Sequence, residues 1–157
     1  MIVVADSTPL IALSRVDRLR LLRDVFGEVT VPDAVWNELT GHGEPRAGAK
    51  EVASATWIVH RSVARTDLVD ALTLTLGRGE AEAIVLAQEC HADVLLMDEK
   101  LGRAAAERLG LRVTGLIGVL IEARRHGLVT DAAALAESIR NQGVWLSDSL
   151  IEMLRGV

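Results

Sequence analysis

Two stretches of this chain are apolar at successive positions, not at alternating ones: Ile2–Ala5 (IVVA) and most of Asp93–Met97 (DVLLM), with Glu28–Pro32 (EVTVP) a further strand between them. A strand that meets water on one side alternates polar and apolar residues, because neighbouring side chains point to opposite faces of the sheet. Strands apolar on both sides need cover on both sides, which is the environment of a parallel sheet. The amphipathic segments between these runs supply the helices. The chain therefore reads as α/β, with a mainly parallel sheet covered on both faces.

A helix is expected from Pro9, where Thr8 offers a capping hydroxyl and proline suits the first turn, and another over Asp17–Val25. Pro32 opens a helix through Val35, Trp36 and Leu39 that stops at Gly41. HGEPRAG (His42–Gly48) is the one Gly/Pro-rich loop, followed by a short helix, and Trp57–His60 reads as an edge strand. Leu68–Leu76 and Gly79–Glu89 read as helices split by a GRG turn. Glu99–Leu109 is a helix halted by Gly110, and Leu111–Thr114 is a last short strand. Helices over Leu116–Arg125, Asp131–Arg140 and Ser147–Leu154 follow. With 157 residues, no internal repeat and no low-complexity tract, one domain over residues 1–157 is expected.

Composition narrows the classes. No apolar run approaches the roughly 20 residues of a membrane span, and MIVVAD lacks the basic flank and the length of a signal peptide. A single cysteine, Cys90, excludes an internal disulfide framework and fits a reducing cytosol; on its alanine-rich helix it reads as a small buried side chain. The net charge of −5 argues against a broad nucleic-acid footprint. That inference weakens if several acids are gathered around a cation. Arg15, Arg18, Arg20 and Arg23 form a stripe that reads as a solvated helix face or as a local basic surface. One Phe, three Trp and no Tyr leave little for base-stacking platforms. His42, His60, His91 and His126 show no metal-ligand spacing.

In such sheets ligands bind beyond the carboxyl ends of the strands. Asp6 ends the first strand and Asp98 follows DVLLM, so both belong to one rim. Asp6 has no evident structural duty, whereas Asp98 could cap the helix that begins at Glu99. Glu80, in LGRGEAEAIVLA, shares a helix face with Ile84 and Ala87 and also suits a helix N-terminus. Glu38, in VPDAVWNEL, lies on the helix that leaves the second strand. Glu82 and Glu99 rank lower, Glu82 because two helical positions turn it away from Glu80.

Carboxylates gathered on one rim repel. Two unit charges about 4 Å apart cost on the order of 4 kcal/mol at an effective dielectric near 20. Raised pKa values or a divalent cation relieve that repulsion. Oxygen donors without a His or Cys cluster suit Mg²⁺ or Mn²⁺. Such an ion binds phosphate oxygens and activates water for displacement at phosphorus. The leading chemistry is metal-dependent phosphodiester hydrolysis.

DSTPLIAL, VPDAVWNEL, LGRGEAEAIVLA and LLMDEKLGRAAAERLGLRVTGLIGVLIEARRHGLV, with the ending GVWLSDSLIEML, resemble the PIN domain in their order and spacing. They look most like stand-alone prokaryotic PIN proteins, a group similar to the toxin ribonucleases of type II toxin–antitoxin pairs. The resemblance implies a three-layer α/β/α sandwich, an acidic pocket for Mg²⁺ or Mn²⁺, and single-stranded RNA as substrate. It makes Asp6, Glu38, Glu80 and Asp98 the catalytic acids. Asp6 and Asp98 become metal ligands, Glu80 a ligand directly or through water, and Glu38 the residue that positions the attacking water.

Many relatives carry Asp where this chain has Glu80, and a hydroxyl residue where it has Leu96 and Met97. The longer third acid shifts the ion or favours contact through water. Lys100 and Arg103, just after Asp98, either grip an RNA backbone or form a solvated face, and Ser7 and Thr8 are read as capping. A cytoplasmic homodimer with a small antitoxin partner is the implied setting. The alternative is a catalytically weak PIN module that binds RNA or a protein partner.

Overall fold

Strand β1 (Val3–Ala5) lies at the centre of a five-stranded sheet in a computed structural model that describes residues 1–41 and 48–156. On one side of it run β2 (Val29–Pro32) and β3 (Ile58–Arg61), and on the other β4 (Val94–Leu96) and β5 (Val113–Thr114). The order is β3-β2-β1-β4-β5 and every pairing is parallel. Helices α1 (Ser7–Ser14) and α2 (Arg20–Phe26) lead from β1 to β2, and α3 (Asp33–Thr40) and α4 (Ala49–Ser54) lead to β3. Then α5 (Thr66–Leu72) and α6 (Arg78–Glu89) precede β4, and α7 (Lys100–Arg108) precedes β5. Helices α8 (Leu116–Arg125), α9 (Ala132–Asn141) and α10 (Asp148–Arg155) follow. Most of the HGEPRAG loop, His42 included, lies outside the described residues.

The non-alternating strands have the cover they require. Val3, Ala5, Val94 and Leu96 pack on one face with Leu10, Leu13, Leu116, Leu120 and Ile139. Val4, Leu95 and Met97 pack on the other with Ile84, Leu86 and Ala106. Each fully buried aliphatic side chain contributes about 1.5–3 kcal/mol, so both layers hold the sheet. No helix among the described residues is long and apolar enough to cross a membrane.

Strand β2 lies on one side of β1 and β4 on the other, so the winding reverses between β1 and β4. Connections leaving those two strands diverge, which opens a crevice at their carboxyl ends. Ala5 is level with Leu96, and the Asp6 N–H extends the ladder by donating to the Leu96 carbonyl at 2.9 Å. Asp6 and Asp98 therefore stand at the mouth of that crevice.

Helix α5 spans Thr66–Leu72, not the expected Leu68–Leu76, and two further helix starts differ from the sequence reading. Helix α1 begins at Ser7, not at Pro9, and Asp6 itself occupies the extended N-cap position with no capping bond from its side chain. Proline is tolerated throughout a first turn, where its missing N–H has no partner to lose. Helix α2 begins at Arg20, not at Asp17, because Asp17 takes a φ of 56°. The Arg18 N–H there donates to the Leu13 carbonyl at 2.8 Å, closing a turn between the two helices.

Candidate active site

Each acid is delivered by a different element. Asp6 sits between β1 and α1 and is only 4% exposed. Glu38 lies on the exposed side of the last turn of α3. Glu80 is half-buried in the first turn of α6, and Asp98 is half-buried just past β4.

Gly79 shows how closely they approach. A Cβ built on it would lie 3.6 Å from Glu38 Oε2 and 3.7 Å from Asp6 Oδ1, so both carboxylates border the space beside Gly79. Electrostatics joins the other two to the group. Burial pushes the Asp6 carboxyl up to about 7, the Ser7 N–H opposes that, and the charges of Glu80, Glu38 and Asp98 raise it further. All three of the other acids are thus near enough to act on Asp6.

Asp98 is held by one oxygen only. Its Oδ1 accepts the Leu116 N–H at 2.9 Å, so it satisfies an open donor at the start of α8. Its Oδ2 is buried and has no hydrogen-bond partner among the described residues. Burial raises the Asp98 pKa, while the Leu116 N–H and the nearby Arg103 oppose the rise. The role of capping α7 falls to Glu99, whose carboxylate accepts the Gly102 N–H at 2.7 Å. That arrangement leaves Asp98 free of the duty the sequence offered it.

Glu80 reaches back to the Gly77 N–H at 3.3 Å, so it serves the start of α6 while facing the site. Burial raises its pKa first, the Gly77 N–H lowers it, and Glu99 and Glu38 raise it again. Glu82 is engaged elsewhere. Its Oε1 accepts the Ala34 N–H at 3.0 Å at the start of α3, and its Oε2 pairs with Arg78 Nε at 2.9 Å. This buried side chain binds α6 to α3 and so fixes the relative places of Glu80 and Glu38.

Arg15, Arg18 and the histidines His60 and His126 are engaged outside the four-acid group. Arg15 and Arg18 donate to the carbonyls of Gln142 and Leu128 at 3.3 and 3.5 Å, tying α1 and its following turn to the C-terminal helices. His60 stacks on Trp36 and binds Asp33, which also accepts the Ser62 hydroxyl at 2.6 Å. His126 lies beside Glu122, and His91 turns the chain with a φ of 51°.

The family model DUF3368, described as a PIN domain, matches residues 2–155. The chain belongs to the PIN-domain family. A comparison with curated proteins finds no match. The PIN domain is a nuclease fold, and PIN nucleases typically use divalent metals. Among the described residues no three His, Cys, Asp or Glu side chains form a ready-made cage for such an ion. Mg²⁺ does not require one, since it keeps several waters and binds through one or two carboxylates. An unpartnered buried Asp98 oxygen, a buried Asp6 carboxyl and an all-oxygen donor set fit a hard divalent cation.

Two glycines of this PIN domain escaped the sequence reading. GRG reads as a turn, but Gly77 caps α6 and Gly79 lies inside its first turn, where nothing in the backbone calls for glycine. A glycine one residue before a candidate site acid is itself a signal of close approach. Gly115 is the second. A Cβ there would lie 2.7 Å from Asp98 Oδ1 and 2.6 Å from Arg103 Nη1, closer than real Cβ atoms come.

Proposed function

We propose that this PIN protein is a Mg²⁺- or Mn²⁺-dependent endoribonuclease that hydrolyses phosphodiester bonds of single-stranded RNA. The observation that carries the reading is the buried, unpartnered Asp98 Oδ2 on the same rim as the buried Asp6 carboxyl. A buried carboxylate oxygen with no donor is costly unless a ligand supplies the missing partner. Asp6 and Asp98 hold the cation, and Glu80 joins them directly or through water. When bound, the ion neutralises the scissile phosphate and makes a water more acidic. Glu38, on the open side, orients the attacking water and takes its proton at the carboxylate. The water oxygen bonds to phosphorus as the opposite P–O ester bond breaks, leaving a phosphate monoester and an alkoxide that takes a proton from solvent to become a free hydroxyl.

As a biological setting we propose a cytoplasmic homodimer acting as the toxin of a type II toxin–antitoxin pair, restrained by a small antitoxin. Incubation of the purified protein with single-stranded RNA tests the chemistry. Cleavage is expected with Mn²⁺ or Mg²⁺ and is expected to vanish with Asp6→Asn or Asp98→Asn. Cleavage that persists in excess chelator would refute metal dependence. RNA retained on a gel without cleavage, and without heat on Mn²⁺ titration, would favour the non-catalytic binding module.

A further inference from the structure

Arg103 forms no ion pair among the described residues, although its charge lies near enough to Asp98 to favour that carboxylate. It stands in the second turn of α7 and lines, with Lys100 and Asp98, a cleft of about 710 Å³ that runs from the site toward Ile117, Ile121 and Met153. The single hydrogen bond of its guanidinium among the described residues goes to the Met97 carbonyl at 3.4 Å, beyond the usual N–H···O range. Neither Asp98 nor Glu107, both on the cleft wall, forms an ion pair with it among the described residues, although seven other arginines and histidines do pair with acids. A guanidinium carries five donors in a planar fork suited to phosphate.

Its position is set by what residue 115 lacks. Gly115 has ordinary extended angles (φ −95°, ψ −176°), so any residue could adopt its backbone. Space is the constraint: the missing Cβ is the place where the Arg103 guanidinium and Asp98 Oδ1 converge. Gly115 is thus the seat that brings one cation to the edge of an acidic pocket.

We propose that Arg103 binds a non-bridging phosphate oxygen of the RNA strand next to Asp98, and that Gly115 is the positioning residue that makes room for it. This rests on the ribonuclease reading and names a substrate-binding group for the same site. The pocket's carboxylates repel an RNA backbone, and an unpaired guanidinium on their border offsets that repulsion where the strand enters. Each phosphate neutralised on a single strand contributes about 0.7 to the salt slope of binding.

The test is anisotropy of a fluorescently labelled single-stranded RNA across a salt series, with Ca²⁺ in place of Mn²⁺, alongside Mn²⁺ calorimetry. Arg103→Ala is expected to weaken RNA binding about tenfold and to lower the salt slope by about 0.7, with saturable Mn²⁺ binding retained. Arg103→Lys restores the slope but only part of the affinity, because a point charge replaces the fork. Gly115→Ala weakens RNA binding too, but also Mn²⁺ binding, because its Cβ would fall 2.7 Å from Asp98 Oδ1. Arg103→Met, which keeps the aliphatic stem, serves if the alanine variant fails to fold. Unchanged affinity and slope in the Arg103 variants, with wild type binding RNA, would overturn the proposal and leave the ribonuclease reading standing. Loss of Mn²⁺ binding in Arg103→Ala would overturn it in favour of a supporting role for Asp98. RNA retained by neither wild type nor variants would overturn both readings.

Discussion

Replacing Asp6 with asparagine removes a buried charge while nearly keeping the side chain's shape, and the consequence depends on pH. In the unfolded chain this carboxyl titrates near its ordinary 3.8, and in the folded protein at about 7. Below about pH 4 it is neutral in both states. Between about pH 4 and 7 the unfolded chain ionises while the native protein keeps its proton, so wild-type stability falls as pH rises. Above about pH 7 the full penalty is present. A displacement of this size corresponds to about 4 kcal/mol, a large share of a typical domain's total. Urea unfolding in chelator at a series of pH values measures it. The wild type should lose on the order of 4 kcal/mol relative to Asp6→Asn between about pH 4 and pH 8, whatever constant offset the amide introduces. Asp98 and Glu80, also raised by burial, bend both curves in the same sense, so the difference between the curves reports Asp6 together with its coupling to its neighbours. Curves that stay parallel across that range would refute a buried, repelled carboxyl at this position.

The same proton competes with a cation, so Mn²⁺ affinity measured by calorimetry should weaken below about pH 7, by up to tenfold per pH unit, and level off above it. Gly79→Ala should raise thermal stability, by up to about 1 kcal/mol from helix propensity. It should lower Mn²⁺ binding and cleavage as well, because the new methyl lies 3.6 and 3.7 Å from the Glu38 and Asp6 oxygens. Glu82→Ala should cost about 1–3 kcal/mol in urea unfolding, since it strips the Ala34 N–H and Arg78 of their acceptor. Its residual folded fraction should still bind Mn²⁺, which separates Glu82 from Glu80.

The sheet was legible because VVA and VLL carry apolar side chains on both faces, and only a covered parallel sheet accommodates that pattern. Strand edges were less so: β3 moved one residue to Ile58–Arg61, since an exposed edge strand has little hydrophobic pattern to fix its ends. The rim positions of Asp6 and Asp98 followed from strand ends alone. Their surroundings did not. Pro9 marks a helix start in sequence, yet α1 begins at Ser7, because a first turn accepts proline at more than one position. Glu99, adjacent to Asp98, takes the cap of α7, and two neighbouring acids can exchange such a role without leaving a trace in spacing. Gly115 was invisible as a site residue because its contribution is an absent side chain, apparent only when atoms from distant segments occupy the space, whereas Gly79 had its place beside Glu80 as a signal.

The most direct test of a cation-binding acidic pocket is calorimetric titration of the purified protein with Mn²⁺ at about pH 8, where Asp6 is ionised. Saturable binding is expected for wild type, with loss in Asp6→Asn and in Asp98→Asn while both variants remain folded. Wild type that takes up no Mn²⁺, or variants that bind it as wild type does, would contradict the site on which this account rests.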